Sequence, residues 1–531
     1  STTNRTTRHH PTPPDTAMPS NRHGGLPLAL WIALVTASAA AAGVLWLTDW
    51  TLGVPGEWSW ARIAHPRGSR WDSLLGFIQA GLTLGGVGLV AWFGSRLMAR
   101  ASPPRGLASL TRAALLLGLV ASGFLGTQLL QHSLPPGHGI GRSPWVLYYP
   151  GSSGYYYEAR RVTSLEDFRQ SYLAVLEDPD PRRRTLHLGT HPPGLFLGHL
   201  AVREACRRSA AVREAVLSWQ PQRVRQAQAT ILEGGRPIPP IDTAALWLAA
   251  LLTQLAAVAT AIPIYLLVRV DHPPRTAWRA ASLWLLVPAV SIFLPKSDCL
   301  YPLLATTSLW LWWSAIRYGG SWKAFLAAGI SWIGLCLSLA FLPILALAAG
   351  LAAWMSWQGP FTRKQLATWS IASLAGLALP TLACWLTLEL NLLSIWSSNL
   401  ANHAAFYDQP EHPRSYLPWL GVNLLELAIA VGIPLAGLAA TGLVRRLGSR
   451  QPEAAGPAWA CLAVWGLLWL SGKNMGEAAR LWLLVMPWAC WLAASTLESL
   501  RSRDWALLLA LQAALVLAVV GRVSGFDFAG G

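Results

Sequence analysis

Apolar runs of about 20 residues recur along this chain from Leu28 to Val520, each long enough to cross a hydrocarbon layer of roughly 30 Å as a helix. One such run can be a buried core helix; this many cannot. The composition agrees: 53% of the residues are apolar and 12% charged, against roughly a quarter charged in an ordinary soluble domain. Lipid is therefore the expected solvent for most of the chain. Many of the 30 tryptophans stand near run ends, as Trp50, Trp247, Trp357, Trp419 and Trp488 do, where indole rings favour the boundary between lipid and water.

The net charge of +16 does not indicate nucleic acid, because the arginines and lysines are scattered through short connections instead of gathered on one domain. Cys336, Cys384, Cys461 and Cys490 fall inside apolar runs, leaving Cys206 and Cys299 in loops. Neither a disulfide framework nor a metal knuckle is indicated. No cofactor is called for, and the sequence leaves a divalent-metal requirement open.

The pattern predicts an all-α, polytopic transmembrane bundle of about thirteen spans. They fall at 28–48, 73–97, 109–130, 242–268, 279–295, 300–317, 324–339, 340–357, 366–388, 419–443, 455–471, 480–497 and 504–521. The pair 324–357 is one unbroken apolar stretch, divided near Ser338 to Pro343. Segment 1–27 reads as a disordered cytoplasmic tail, 28–108 as an N-terminal transmembrane hairpin, 109–498 as the core and 499–531 as a last span with its tail. Short-loop arginine and lysine stay cytoplasmic. With the tail inside, Arg96, Arg100 and Arg105, Arg269 and Arg275, Arg317 and Lys323, Arg363 and Lys364, Arg445, Arg446 and Arg450, and Arg501 and Arg503 all fall inside. The loop 49–72, where Arg62, Arg67 and Arg70 are accompanied by Asp49, Glu57 and Asp72, is placed outside.

That orientation puts every unusual polar segment on the outer face, while the inner loops are short, basic and otherwise featureless. The longest outer segment, 131–241, exceeds what a simple connection needs. Tyr148, Tyr149, Tyr155, Tyr156 and Tyr157 surround Gly151 and Gly154, and Glu158 opens a helical pattern through Val162, Leu165, Phe168, Tyr172 and Leu176, read as an interfacial helix. The tyrosines suit boundary anchoring and sugar stacking equally. Leu186-His187-Leu188-Gly189-Thr190-His191-Pro192-Pro193-Gly194 follows. Pro192 preorganises a helix start, which would set His191 beside free N–H groups that favour anions; equally, Pro192-Pro193-Gly194 would merely shape a re-entry into the membrane surface. Two short turns add charge: Pro295-Lys296-Ser297-Asp298, and Ser471 to Arg480 with Lys473, Glu477 and Arg480. An ionised Arg480 so close to lipid needs a phosphate, a carboxylate or water, and a Glu477–Arg480 pair is the plainer alternative to a lipid phosphate. Loop 389–418 offers Asn399, Asn402, His403, Tyr407, Asp408 and Arg414, and Glu426 is the most deeply embedded acid, with Arg480 as its alternative partner.

At Thr190-His191-Pro192-Pro193-Gly194, Ser297-Asp298 and Gly476-Glu477-Ala478-Ala479-Arg480-Leu481-Trp482, the sequence resembles the C-type superfamily of membrane glycosyltransferases. Within it the chain looks most like bacterial glycosyltransferase-39-like proteins, alongside protein O-mannosyltransferases and aminoarabinose transferases, over roughly 109–498. The resemblance implies a bacterial inner-membrane enzyme with its active face periplasmic. It would move a sugar from a polyprenyl-phosphate donor to a hydroxyl on a glycan, lipid or protein acceptor. It implies a carboxylate base in loop 131–241. The family's acid lies soon after the preceding span, whereas here none occurs before Glu158, so Glu158 competes with Asp298, Asp49 and Glu57. Lys473, Arg480, His191 and Lys296 would hold the donor phosphate, and Tyr156, Tyr157, His187, His403, Glu426 and Glu477 would contact substrate. The rival class is a transporter or flippase of a lipid-linked or anionic solute. Such proteins break helices near mid-membrane, whereas the mid-span positions here read as apolar apart from Gln254.

Overall fold

The computed structural model describes residues 25–63, 70–100, 105–135, 137–180, 187–358, 362–407 and 414–526. The expected tail, except its last residues, lies outside these, as do Arg67 and Asp408. Among the described residues the chain is nearly all helical. Its strands are three two-residue ladders: 53–54 with 58–59, 61–62 with 523–524, and 232–233 with 236–237.

Eight helices are long and apolar enough to cross a membrane: Leu28–Leu47, Leu74–Ala99, Ser109–Ser133, Pro240–Val268, Leu339–Gln358, Arg363–Leu388, Pro452–Leu470 and Ser502–Arg522. A ninth is added if Tyr416–Val431 and Ile433–Leu447, bent by 108° at their junction, form one span. The chain is thus a multi-pass membrane protein, but the expected thirteen spans are not reached. Four of them fail for local reasons. The run 279–295 divides into Pro274–Trp284 and Pro288–Phe293, since Pro288 cannot continue the first helix. Tyr301–Tyr318 interleaves its apolar residues with tryptophans and hydroxyls. Ser321–Leu337 is short. The run 480–497 is cut into Ala478–Leu481, a 3-10 turn at Leu483–Val485 and Pro487–Glu498. The division of 324–357 falls at Ser338, whose hydroxyl accepts from the Ala340 amide at 3.2 Å.

The bundle has two distinct ends. The ladder 61–62 with 523–524 joins the segment after the first long helix to the one after the last, and Arg522 donates to the Leu45 and Ile63 carbonyls at 3.0 Å each. Arg142 reaches Ser524 Oγ at 2.6 Å and the Ile292 carbonyl at 2.5 Å. Asn399 and Asn402 both donate to the Gly189 carbonyl, at 2.9 and 3.0 Å, and Arg169 pairs with Glu389. Segments 49–63, 131–135, 137–180, 187–241, 292–299 and 389–407 therefore share one end, the loop face. The opposite, basic face was expected to be featureless and is instead cross-linked. His272 Nδ1 lies 2.7 Å from Glu498, Arg446 lies 2.9 Å from His272 Nε2, and Arg317 pairs with Asp271 at 3.1 Å and Glu453 at 3.3 Å.

The breaks raise an accounting question, because carbonyls and amides freed inside lipid must find partners within the protein. Gln512, fully buried at the middle of Ser502–Arg522, supplies them. Its amide nitrogen donates to the Leu286 carbonyl at 2.9 Å and the Val431 carbonyl at 3.0 Å, and its oxygen accepts from the Leu435 amide at 3.3 Å. Gly432 (φ 96°) makes the bend, and any Cβ there would stand 2.0 Å from the Gln512 amide. Gln512→Leu should strand these groups at about 1–3 kcal/mol each and lower the unfolding temperature in detergent; an unchanged melt contradicts this role.

Candidate active site on the loop face

A cavity of about 220 Å³ opens on the loop face. Trp58, Trp60, Tyr149 and Phe526 line it together with Ser59, Ala61, Gly151, Ser152, Ser524 and Gly525, and Glu477 and Arg480 bring charge to it. Four separate stretches of chain build it. Trp58 and Trp60 stand two apart, so an extended strand turns both rings to the same side. Trp60 Nε1 donates to Glu426 Oε1 at 3.0 Å, and the Trp58 ring packs 6.1 Å from Trp419. Glu57 pins this hairpin to helix Tyr416–Val431 by accepting from the Ser415 amide at 2.9 Å, Trp419 Nε1 at 2.7 Å and the Ser415 hydroxyl. Burial works to raise its pKa, yet those donors and the Arg414 charge leave the carboxyl below its ordinary range. Glu57 is thus a fastening.

The turn 471–480 is held by the same helix. Asn423 donates to the Asn474 carbonyl at 2.8 Å, Arg414 to the Met475 carbonyl at 2.9 Å, and Glu426 accepts from the Ala479 amide at 3.1 Å. Glu426 therefore binds Trp60 and Ala479, not Arg480, and its second oxygen is buried without a hydrogen-bond partner. Glu477 sits at φ 57°, a left-handed conformation that non-glycine residues seldom adopt, and its carboxylate meets Arg480 at 2.8 Å. The pairing weighed as the plainer alternative is present, but it leaves Arg480 Nε buried with no acceptor.

Next to Arg480 lies a buried polar cluster drawn from the other two motifs. Lys296 is 3% exposed and its Nζ has no hydrogen-bond partner. Burial, then repulsion by Arg480, lower its pKa to about 7 against the pull of Asp298 and Glu477. The Tyr155 ring stands 6.2 Å from His187 and 6.0 Å from His191, and His187 Nε2 lies 3.3 Å from the Gly151 carbonyl at the cavity wall. Burial, then His403 and Lys296, bring His191 down to about 3; burial and Lys296 hold His187 well below its usual range. Asp298 acts on Lys296, Arg480 and Tyr155 alike. Local sequence explains the placement: Pro192 and Pro193 start helix Gly194–Arg208, and Gly194 lets it approach so closely that a Cβ would lie 2.4 Å from the Cys336 carbonyl. His191 Nδ1 turns back to the Thr190 hydroxyl at 3.0 Å and the His187 carbonyl at 3.1 Å.

Other expected site residues lie elsewhere. Glu158 does not line the cavity and faces Arg161 at 3.6 Å. Its helix ends at Ala159, and a second one, Leu165–Leu176, starts at the Ser164 cap, so the single interfacial helix expected from Glu158 is two. Tyr156 is buried against Asp242, donating at 2.7 Å, and Tyr157 accepts from Arg161 at 2.5 Å. His403 acts on His191 through its charge, and exposed Lys473 acts on His403. The sequence reading named Tyr149 among the tyrosines suited to sugar stacking but missed Trp58, Trp60 and Phe526 as walls. The alternation Trp58-Ser59-Trp60 was the available signal.

No family model and no curated protein matches the chain. An unfolded imidazole titrates near 6.5 and His191 near 3 when folded. As pH falls from about 6.5 towards 3, protons bind the unfolded chain preferentially and stability declines. His191→Asn should flatten part of that decline in melts recorded from about pH 7 to pH 4; an identical slope contradicts burial of a neutral ring.

Proposed function

We propose that this chain is a membrane glycosyltransferase that moves a sugar from a polyprenyl-phosphate donor to a hydroxyl acceptor on the loop face, taken as non-cytoplasmic from the arginine distribution. The observation that carries the reading is a cavity lined by Trp58, Trp60, Tyr149, Phe526 and Arg480, with the buried, unpartnered Lys296 behind it within the field of Arg480. Aromatic rings offer flat apolar faces to a sugar ring, and two desolvated cations offer charge to a phosphate. The resemblance of its motifs to those of the C-type superfamily points to the same class. A glycan, lipid or protein hydroxyl fits this scheme as acceptor, all three having the same attacking atom.

In the reaction proposed, the acceptor oxygen attacks the anomeric carbon and the bond from that carbon to the phosphate oxygen breaks. The electron pair leaves on the phosphate, where Arg480 and Lys296 stabilise it. A carboxylate takes the acceptor proton. We assign that role to Asp298 over Glu158, because Asp298 shares the electrostatic environment of Lys296 and Arg480 while Glu158 faces Arg161.

The 108° bend at Gly432 favours the second reading, a transporter of a lipid-linked solute. Against it, the groups freed there are bonded to buried Gln512, whereas transport sites leave such groups to bind cargo. Proteoliposomes supplied with polyprenyl-phosphate hexose or pentose and with glycan, lipid and peptide hydroxyl acceptors on the loop face, followed by mass spectrometry, separate the two. Transfer releases free polyprenyl phosphate, and Arg480→Gln or Asp298→Asn should slow it about 100-fold while Glu158→Gln keeps most of the rate. Movement of intact donor without cleavage overturns the transferase reading, and loss with Glu158→Gln alone overturns the choice of base.

A further inference from the structure

On the basic face, Arg96, Arg275 and Arg279 come together from helix Arg70–Arg100 and helix Pro274–Trp284. Arg275 is repelled by Arg96, and Arg279 by Arg275. Arg279 is 1% exposed. Two of its nitrogens bond outward, Nε to Ser95 Oγ at 3.1 Å and Nη1 to the Leu497 and Leu500 carbonyls at 2.8 and 3.0 Å. Its Nη2 and the Nε of Arg275 are buried with no acceptor. The carboxylate that acts on Arg279, Asp504, is bound by Arg501 at 3.0 Å. Among the described residues none of the three arginines forms an ion pair.

A second, independent feature points to an anion. Helix Pro274–Trp284 has no acid in its first turn and no side-chain cap, so the positive end of its dipole faces this cluster uncompensated. Beside it, helix Arg70–Arg100 exposes Leu89 (58%), Phe93 (55%) and Leu97 (47%), one stripe at four-residue spacing that runs about 12 Å along the axis. Arg96 lies one turn beyond Phe93, with its guanidinium 3.7 Å above the Trp92 ring. Cationic head and apolar stripe are thus arranged as an anionic amphiphile is.

We propose that Arg96, Arg275 and Arg279 bind the phosphodiester headgroup of an anionic phospholipid on the face opposite the cavity, with its acyl chains along Leu89, Phe93 and Leu97. Headgroup phosphate oxygens complete the bonding of Arg275 and Arg279 and balance the mutual repulsion of the three cations. This site is independent of the chemistry on the loop face.

The test is native mass spectrometry of the full chain in a neutral detergent, with phosphatidylglycerol or phosphatidylcholine added. Phosphatidylglycerol should be retained in preference to phosphatidylcholine, and its retention should weaken about fivefold for each of Arg96→Gln and Arg275→Gln. Arg279 also caps a helix end and is left intact. Arg445→Gln, which removes an exposed charge from the same face, should leave retention unchanged. Equal weakening by Arg445→Gln overturns the proposal in favour of general surface charge. Equal retention of phosphatidylcholine, or stabilisation by millimolar inorganic phosphate matching that of phosphatidylglycerol, overturns the lipid assignment.

Discussion

Every other feature here depends on one constraint: in lipid, each backbone carbonyl and amide released from a helix must be bonded by the protein itself. The chain meets it with side chains. Gln512 ties the break before Pro288 to the break at Gly432. Gln131 bonds the Ser291 carbonyl at 2.5 Å, and Arg142 the next one. Most buried polar side chains of this bundle are therefore structural. Lys296 differs in kind from the unpartnered indoles and hydroxyls of the bundle, since its one nitrogen is a buried amine that bonds nothing.

The breaks also place the cluster. Ending a helix at Pro288 lets the following turn deliver Lys296 and Asp298 at the loop face. Bending at Gly432 lets Tyr416–Val431 lie where Asn423 and Glu426 can hold the 471–480 turn from below. Arg480 belongs to both the cavity and the buried cluster, so the aromatic walls and the cations act on one volume. The first hairpin is part of this arrangement, because its loop carries Trp58 and Trp60 and is fastened through Glu57.

Much of this was legible in the sequence. Apolar length identified the eight long helices, and the three charged motifs were named before their convergence was seen. Gln512 was not legible, because one polar residue in an apolar run does not reveal that two distant breaks need it. The span count was overestimated for the same reason: hydropathy adds up residues but does not see that Pro288 or Pro487 divides a run. Trp58 and Trp60 were not singled out, since composition cannot separate a ring that faces lipid from one that faces a cavity. Glu158 was favoured by its position in the loop, and only the fold shows its side chain turned to Arg161.

The central claim is that a sugar-bearing polyprenyl phosphate is held where Arg480 meets Lys296. Lipid extraction of the purified chain followed by mass spectrometry tests it most directly. The account predicts polyprenyl phosphate, with or without its sugar, bound to the native chain and lost from the Lys296→Gln, Arg480→Gln double variant. Ordinary phospholipids alone, or equal polyprenyl phosphate in both preparations, would contradict it.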